Sequence, residues 1–259
     1  MPLTFAMGPV HLDREGQHLR RELGEALSEK LGREVVVAAM SSYAELASRM
    51  TRGEAAMGWL SPALFVRSET SSQIQLLLAI ERSRGDGYRG VLFVRAESPA
   101  WSVDDLAGER VAWVDRDSTS GYLFVRLAMR KRGLDPATFF GDERFVGSHT
   151  AAVLAVIHGE ADCAATHAHT KPGTDAVALA GWHPYAGRQE MRPILVSAPI
   201  PPDVICVSAG LDAGLVGDIR QTLLTLHDTH PDLVDEVFSG PRLVGASSAD
   251  YDPVRAAMQ

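Results

Sequence analysis

Residues 115–132 read DRDSTSGYLFVRLAMRKR. The run before them, Arg110 to Val114 (RVAWV), predicts a strand. A short polar turn follows, and an amphipathic helix is expected to start at Gly121. Ser118, Thr119 and Ser120 therefore fall at a helix start, where hydroxyl oxygens accept hydrogen bonds from the first free amides. A helix start also carries N–H groups without intrahelical partners and a partial positive charge. Three hydroxyls there suit an anion such as phosphate, sulfate or a carboxylate. The plain alternative is an over-determined helix cap with no ligand.

Working outward, strands and helices alternate. Leu3 to Met7 predicts a strand, with a turn at Gly8-Pro9. Arg14 to Leu31 predicts a helix, with Leu19, Leu23, Leu27 and Leu31 on one stripe and Gly32 as its C-cap. Glu34 to Met40 (EVVVAAM) reads as a buried strand. Ser41 or Ser42 caps a helix over Tyr43 to Arg52, and Ala55 to Leu60, Pro62 to Arg67 and Gln75 to Glu81 follow as strand, helix and strand. Composition breaks at Arg82 to Gly87 (RSRGDG) and again at Ala198 to Asp203 (APIPPD). Between the breaks the strands expected are Tyr88 to Arg95, Arg110 to Val114, Arg144 to Val146, Ala161 to Thr166, Ala176 to Leu179 and Ile194 to Ser197. Helices are expected over Gly121 to Arg132 and Thr150 to His158. After the second break come a strand at Val204 to Ser208, a helix over Ala213 to His227 and a short helix at Pro231 to Phe238. Such alternation implies an α/β fold with mostly parallel sheets. A weak echo runs through it. Ser42-Tyr43 leads through a helix to Gly53-Glu54-Ala55, and Ser148-His149 leads through a helix to Gly159-Glu160-Ala161. Two lobes with the same βαβ logic would produce this.

The 259 residues suffice for one large domain or two lobes of about 120. A hydrophobic share of 46% and a charged share of 22% are ordinary for a globular protein. The net charge of −8 argues against nucleic acid or an anionic membrane as partner, because both require a basic face. It leaves a small anion open, since helix termini bind one without net positive charge. Cys163 and Cys206 sit in apolar strand-like runs and read as buried free thiols. No apolar run reaches the length of a membrane span. The opening MPLTFAMGPV has no basic segment followed by an apolar one, so it does not read as a signal peptide. The expectation is periplasmic or extracytoplasmic if a leader was removed, and otherwise cytoplasmic.

In open α/β sheets, ligands bind beyond the carboxyl ends of strands, where helices begin. Ser41-Ser42-Tyr43, Ser118-Thr119-Ser120 and Ser148-His149-Thr150 all fall at such places and together could converge on one anion. His149 is able to donate to an anion and gain charge near neutral pH, or else to face solvent. His167 ends the strand Ala161 to Thr166 and points at the same edge. With His169 it forms H-x-H, but no third ligand lies near in sequence, so neither a metal nor another cofactor is expected. Tyr43 and Tyr88 lie at the boundary between lobes, as pocket walls or rim residues, and Trp59 and Trp113 read as core. There is no G-x-S-x-G elbow, phosphate-binding P-loop or dinucleotide glycine fingerprint.

These pieces resemble the phosphate, phosphite and phosphonate-binding components of ABC importers, on the type 2 periplasmic-binding-protein fold. The matching stretches are SSYAEL (41–46), RGEAAMGWLSPALF (52–65), Ser-Thr-Ser-Gly (118–121), GSHTAAVLAVIHGEADCAA (147–165) and API-PPD (198–203). The resemblance implies a first lobe of residues 1–84 plus 204–259, a second of 85–203, two hinge strands, and a ligand clamped in the cleft. It implies that Ser118, Thr119, Ser120 and Gly121 hold the oxyanion and that Tyr43, Tyr88 and His149 complete the site. His167 stands where the family usually carries an aspartate. An acceptor-only carboxylate then becomes a group that donates or carries charge. The change disfavours an aminoalkyl phosphonate and favours either a more fully ionised anion or loss of binding. The implied partners are a small anionic ligand and an ABC permease, and the expected state is a monomer. Two other readings compete: an enzyme on the same fold, of the kind found in menaquinone or thiamine biosynthesis, and a cytosolic ligand sensor.

Overall fold

The computed structural model describes residues 2–9, 13–71, 73–81, 87–186 and 191–259. The chain divides into two compact units, Met1–Ser83 with Pro202–Arg255, and Arg84–Pro201 with Ala256–Gln259. Most of the RSRGDG break, residues 82–86, lies outside the described residues.

The first unit opens with β1 (Leu3–Met7), α1 (Arg14–Leu31), β2 (Val35–Ala39), α2 (Tyr43–Thr51), β3 (Met57–Leu60), α3 (Pro62–Glu69) and β4 (Ile74–Ile80). Helix α1 forms where its leucine stripe predicts. Asp13 accepts from the Gly16 amide at 2.8 Å, and Gly32 ends the helix at φ +61°, a left-handed conformation that glycine takes without steric cost. Leu19, Leu23 and Leu27 are buried with Phe5, Met7, Ile205, Leu223 and Phe238 in one core. Trp59 is only partly buried, with its ring edge-on to Phe238.

The second unit contains β5 (Tyr88–Arg95), β6 (Arg110–Trp113), a π-helical turn (Thr119–Leu123), α4 (Phe124–Arg130), α5 (Pro136–Phe139) and β7 (Asp142–Phe145). It continues with α6 (His149–Ile157), β8 (Cys163–Thr170), β9 (Val177–Ala180), α7 (His183–Ala186) and β10 (Met191–Val196). Its core gathers Leu92, Val94, Val111, Trp113, Val125, Met129, Cys163, Ala165 and Leu195. Burial pushes the Cys163 and Cys206 thiols far above their ordinary pKa. The chain then returns to the first unit as β11 (Val204–Ser208), α8 (Ala213–Leu224), α9 (Leu226–Thr229), α10 (Pro231–Phe238) and β12 (Leu243–Val244), followed by α11 (Asp252–Met258), whose residues from Ala256 on are grouped with the second unit.

The sheet of the first unit runs β12-β4-β11-β3-β1-β2. That of the second runs β10-β5-β8-β6-β7, with β9 beside β8. Both are mixed, which corrects the expectation of mostly parallel sheets. β1 pairs in parallel with β2 and β3, and β6 with β7 and β8. The pairs β11–β4, β11–β3, β12–β4, β10–β5, β5–β8 and β8–β9 are antiparallel. Connectivity explains much of this: β4 carries the chain out of the first unit and β11 brings it back, while β5 enters the second and β10 leaves it.

The parallel parts share one topology. β1, β2 and β3 are ordered β2-β1-β3, and β6, β7 and β8 are ordered β7-β6-β8. The first connection thus goes to one side of the starting strand and the second crosses back to its other side, which is the arrangement that creates a ligand crevice at the strands' carboxyl ends. The echo in sequence is also an echo in geometry. Ser42 (φ −155°, ψ 162°) and Ser148 (φ −151°, ψ 160°) cap nine-residue helices that lead to Gly53 and Gly159, at φ +69° and +74°.

The segment returning to the first unit is tied down there. The fully buried Tyr251 donates its hydroxyl to the Pro202 carbonyl at 2.9 Å and packs its ring edge-on against Phe65. Tyr251→Phe removes that donor and keeps the ring. The expected loss, read from the urea unfolding midpoint, is about 1–2 kcal/mol.

Candidate functional site

At the carboxyl end of β6 the chain turns through Ser118–Gly121. Ser118 is extended (φ −79°, ψ 117°), and its hydroxyl accepts the Gly121 amide at 3.0 Å. The Phe124 amide then reaches back to the Thr119 carbonyl, so the first turn is π-helical and α geometry begins only at Phe124. This corrects the expected α-helical start at Gly121. Single π turns of this kind recur at functional sites. Packing explains the wide turn. The Gly121 carbonyl accepts the Val114 amide at 3.2 Å, and a Cβ on Gly121 would stand 2.3 Å from Val114 Cγ2. On the other side, a Cβ on Gly90 of β5 would stand 2.5 Å from the Ser120 carbonyl oxygen. Two glycines let the turn press onto the sheet. The hydroxyl triplet is buried there, at 1%, 2% and 2% exposure for Ser118, Thr119 and Ser120.

Aromatic and imidazole rings continue from the triplet. Tyr88 Oη and Ser120 Oγ are hydrogen-bonded at 2.9 Å. The Tyr88 ring stacks on His167, with centroids 6.0 Å apart and planes 19° from parallel, and meets His169 edge-on at 5.8 Å. His167 in turn meets His149 edge-on at 4.9 Å. His149 Nδ1 and Thr166 Oγ1 lie 2.9 Å apart. Strand register causes this gathering, because Tyr88 pairs with His169 and Gly90 with His167 across β5 and β8. His167 accordingly lies within β8, which runs four residues past the end of the expected strand, and not at its end. Pairing of β6 with β8 stops at Ala112 and Ala164. Just beyond it, Thr166 receives the side chain of His149 from the start of α6.

His149 retains partial exposure as a residue, but desolvation of its ring lowers its pKa to about 4. The imidazole is therefore neutral at pH 7, which corrects the expectation that it gains charge near neutrality. Other hydroxyls serve local structure. Ser148 caps α6 through the Ala151 amide, and Thr150 Oγ1 meets Tyr185 Oη at 3.0 Å. In the first unit, Ser42 caps α2 through the Glu45 amide, and Ser41 donates its hydroxyl to Glu45 at 2.7 Å. Tyr43 occupies the first position of α2 and is buried, with Gly8 beside its ring. Among the described residues, no group of three or more His, Cys, Asp or Glu side chains is arranged to hold a metal ion.

The family description "ABC transporter, phosphonate, periplasmic substrate-binding protein" matches residues 5–251. The chain belongs to that family. The phosphate-import protein PhnD of Mycolicibacterium smegmatis is 27% identical over 170 residues, 62% of this chain and 53% of that protein. The match thus spans about half the length of that relative. A binding-protein component of an ABC phosphonate transporter from Pseudomonas aeruginosa shares the fold at a TM-score of 0.84 and 17% identity, covering 99% of this chain and 85% of the other. PhnD1 of Prochlorococcus marinus, solved with methylphosphonate, shares it at 0.80 and 17% identity, covering 98% and 96%. The two α/β units with mixed sheets are those of the type 2 periplasmic-binding-protein fold. The family is one of substrate-binding transport components.

The second unit therefore brings together Ser118, Thr119, Ser120, Gly121, Tyr88, His149 and His167. Sequence reasoning missed Thr166 and Gly90. Gly90 carried a readable signal, since a glycine inside an apolar strand marks close approach of another backbone.

Two outcomes follow from this packing. Gly90→Ala should push the Ser120 carbonyl away and destabilise the protein by about 1–3 kcal/mol, measured by denaturant unfolding. The second concerns acid. Because the folded pKa of His149 lies below the ordinary value of 6.5, the native state binds fewer protons than the unfolded chain between pH 6.5 and about 4. His149 then contributes a stability increment that is fully present above pH 6.5 and is lost as pH falls towards 4, on the order of 3 kcal/mol. His149→Asn should flatten the decline of unfolding free energy across that window.

Proposed function

We propose that the protein is the solute-binding component of an ABC importer for a small phosphorus oxyanion of the phosphate, phosphite or phosphonate type. The observation that carries this reading is the buried hydroxyl triplet at a helix N-terminus, in a chain of this family. Ser118, Thr119 and Ser120 supply hydroxyl donors, and the first amides of the turn add the partial positive charge of a helix start. Tyr88, His149 and His167 extend the donor set. Neutral His149 acts there as a hydrogen-bonding group and not as a charge. The family resemblance assigns Tyr43 to the same ligand and makes 1–84 plus 204–259 and 85–203 the two ligand-binding lobes. The partner is an ABC permease and the working location extracytoplasmic, as the family description supports. Among the described residues, no helix is long and apolar enough to cross a membrane.

Thermal unfolding with phosphate, phosphite, methylphosphonate and sulfate tests the reading. A ligand present at 100 times its Kd adds about 2.7 kcal/mol to native stability. One or more phosphorus oxyanions should raise the Tm with concentration. The Ser118→Ala/Thr119→Ala double variant should fold, lose roughly 1 kcal/mol through its missing cap, and show no such rise. A shift that persists in the double variant would remove the triplet from the site. No shift with any phosphorus oxyanion would overturn the proposed function.

A further inference from the structure

The strand pair beneath the hydroxyl triplet is irregular where it meets the turn. β5 and β10 pair in antiparallel register as far as Val91 and Val196, so the next pair is Gly90 with Ser197. The Ser197 amide donates to the Gly90 carbonyl at 2.9 Å, as that register requires. The return bond is different. The Gly90 amide donates to Ser197 Oγ at 2.9 Å, and the Ser197 carbonyl accepts Arg89 Nη1 at 2.8 Å instead. Ser197 Oγ gives its only hydrogen to the Ala198 carbonyl at 2.7 Å. Ser197 is 1% exposed and has no hydroxyl hydrogen left for a ligand. Two residues on, Pro199 has no N–H to donate, and the Ile200 amide reaches the Tyr88 carbonyl at 2.8 Å. Ala198 and Pro199 thus stand opposite Arg89 alone, the two-against-one count of a β-bulge.

The stretch of β5 facing this bulge carries two residues that meet Ser120. Tyr88 Oη bonds Ser120 Oγ, and Gly90 leaves the space that the Ser120 carbonyl fills. We propose that Ser197 is a positioning residue for the oxyanion site. Its hydroxyl caps the buried Gly90 amide, fixes the seat of the Ser118–Ser120 turn, and so sets ligand affinity without touching the ligand. The inference rests on the proposed function and extends the site to a residue behind it. Without the hydroxyl, the Gly90 amide is buried with no acceptor, a loss that water does not make good. The ordinary partner in an antiparallel ladder is the Ser197 carbonyl. Reaching it requires the Ser197 peptide to turn away from Arg89, and the Gly90 backbone to move with it. The Ser120 carbonyl already fills the space over Gly90, so that movement passes directly to the turn. A donor set works only while its supports hold it to within about 0.5 Å.

Isothermal titration with methylphosphonate, phosphate and phosphite compares the wild type, Ser197→Ala, Ser197→Cys and Tyr251→Phe. Tyr251 lies in the first unit and controls for lost stability, since its variant also gives up a buried hydrogen bond. Ser197→Ala should weaken whichever oxyanion binds the wild type by at least about tenfold, the scale of one lost hydrogen bond. Tyr251→Phe should leave that affinity within about twofold. Ser197→Cys keeps a side chain of similar size with a weaker acceptor. It should lose less, and serves if the alanine variant does not fold. Amide hydrogen exchange reads the link itself: protection at Gly90 should fall in Ser197→Ala and hold in Tyr251→Phe. Unchanged affinity in Ser197→Ala, or in Ser197→Cys should the alanine variant not fold, would overturn the inference. So would an equal loss in Tyr251→Phe, or a weakened Ser197→Ala in which Gly90 stays protected. Each of these leaves the proposed function standing, because the wild type still binds an oxyanion. Absence of binding by all three oxyanions to the wild type would overturn both.

Discussion

The site depends on one close approach, that of the Ser118–Ser120 turn to the sheet beneath it. Its carbonyl at Ser120 lies where any side chain at Gly90 would stand, and its Cα at Gly121 lies against Val114. Once the turn is pressed into that space, its hydroxyls are shielded from water and must find partners inside the protein or in a ligand. Ser118 satisfies Gly121, and Ser120 joins Tyr88. The π turn is the backbone's accommodation. It widens the helix by one residue at its start and lets the chain leave β6, cross the sheet and enter α4 without a break.

Topology sets the remaining positions. In both units the middle parallel strand is flanked by the next two strands of the chain on opposite sides. In the second unit that places the start of α6 beside the end of β6, and His149 reaches Thr166 where the β6–β8 ladder has ended. Antiparallel pairing of β5 with β8 then fixes which rings meet. Shifting β8 by one residue against β5 would turn His167 and His169 to the face opposite Tyr88, since side chains alternate along a strand. The apolar residues below them on the same face, Leu92, Ala165 and Cys163, are buried in the core and oppose such a slip.

Much of the α/β alternation was legible because its signals are local. The leucine stripe and Gly32 bounded α1, Ser42 and Ser148 marked two caps, and the run from Val204 to Ser208 matched β11. Strand direction was less legible. Whether β11 runs with or against β3 depends on where the chain has travelled between residues 87 and 203, and no property of VICVS records that. The π turn was hidden for a related reason. Ser-Thr-Ser-Gly reads as an ordinary cap, and the pressure that widens it comes from Val114 and from Gly90, 30 residues before Ser120. The length of β8 was misread because His167 and His169 are polar, whereas pairing with β5 on one side and β9 on the other holds the strand through Thr170.

Net charge adds a last constraint on how such a site could work. A protein at −8 repels a small anion at long range, so electrostatic steering cannot supply the affinity. That repulsion is screened beyond roughly 8–10 Å at ordinary ionic strength, while donors at contact distance in a water-poor site are screened much less. The attraction must then be local: oriented amides, hydroxyls and imidazole N–H groups whose positions are fixed before the ligand arrives. The buried turn meets that requirement because packing against Val114 and Gly90 holds it in place.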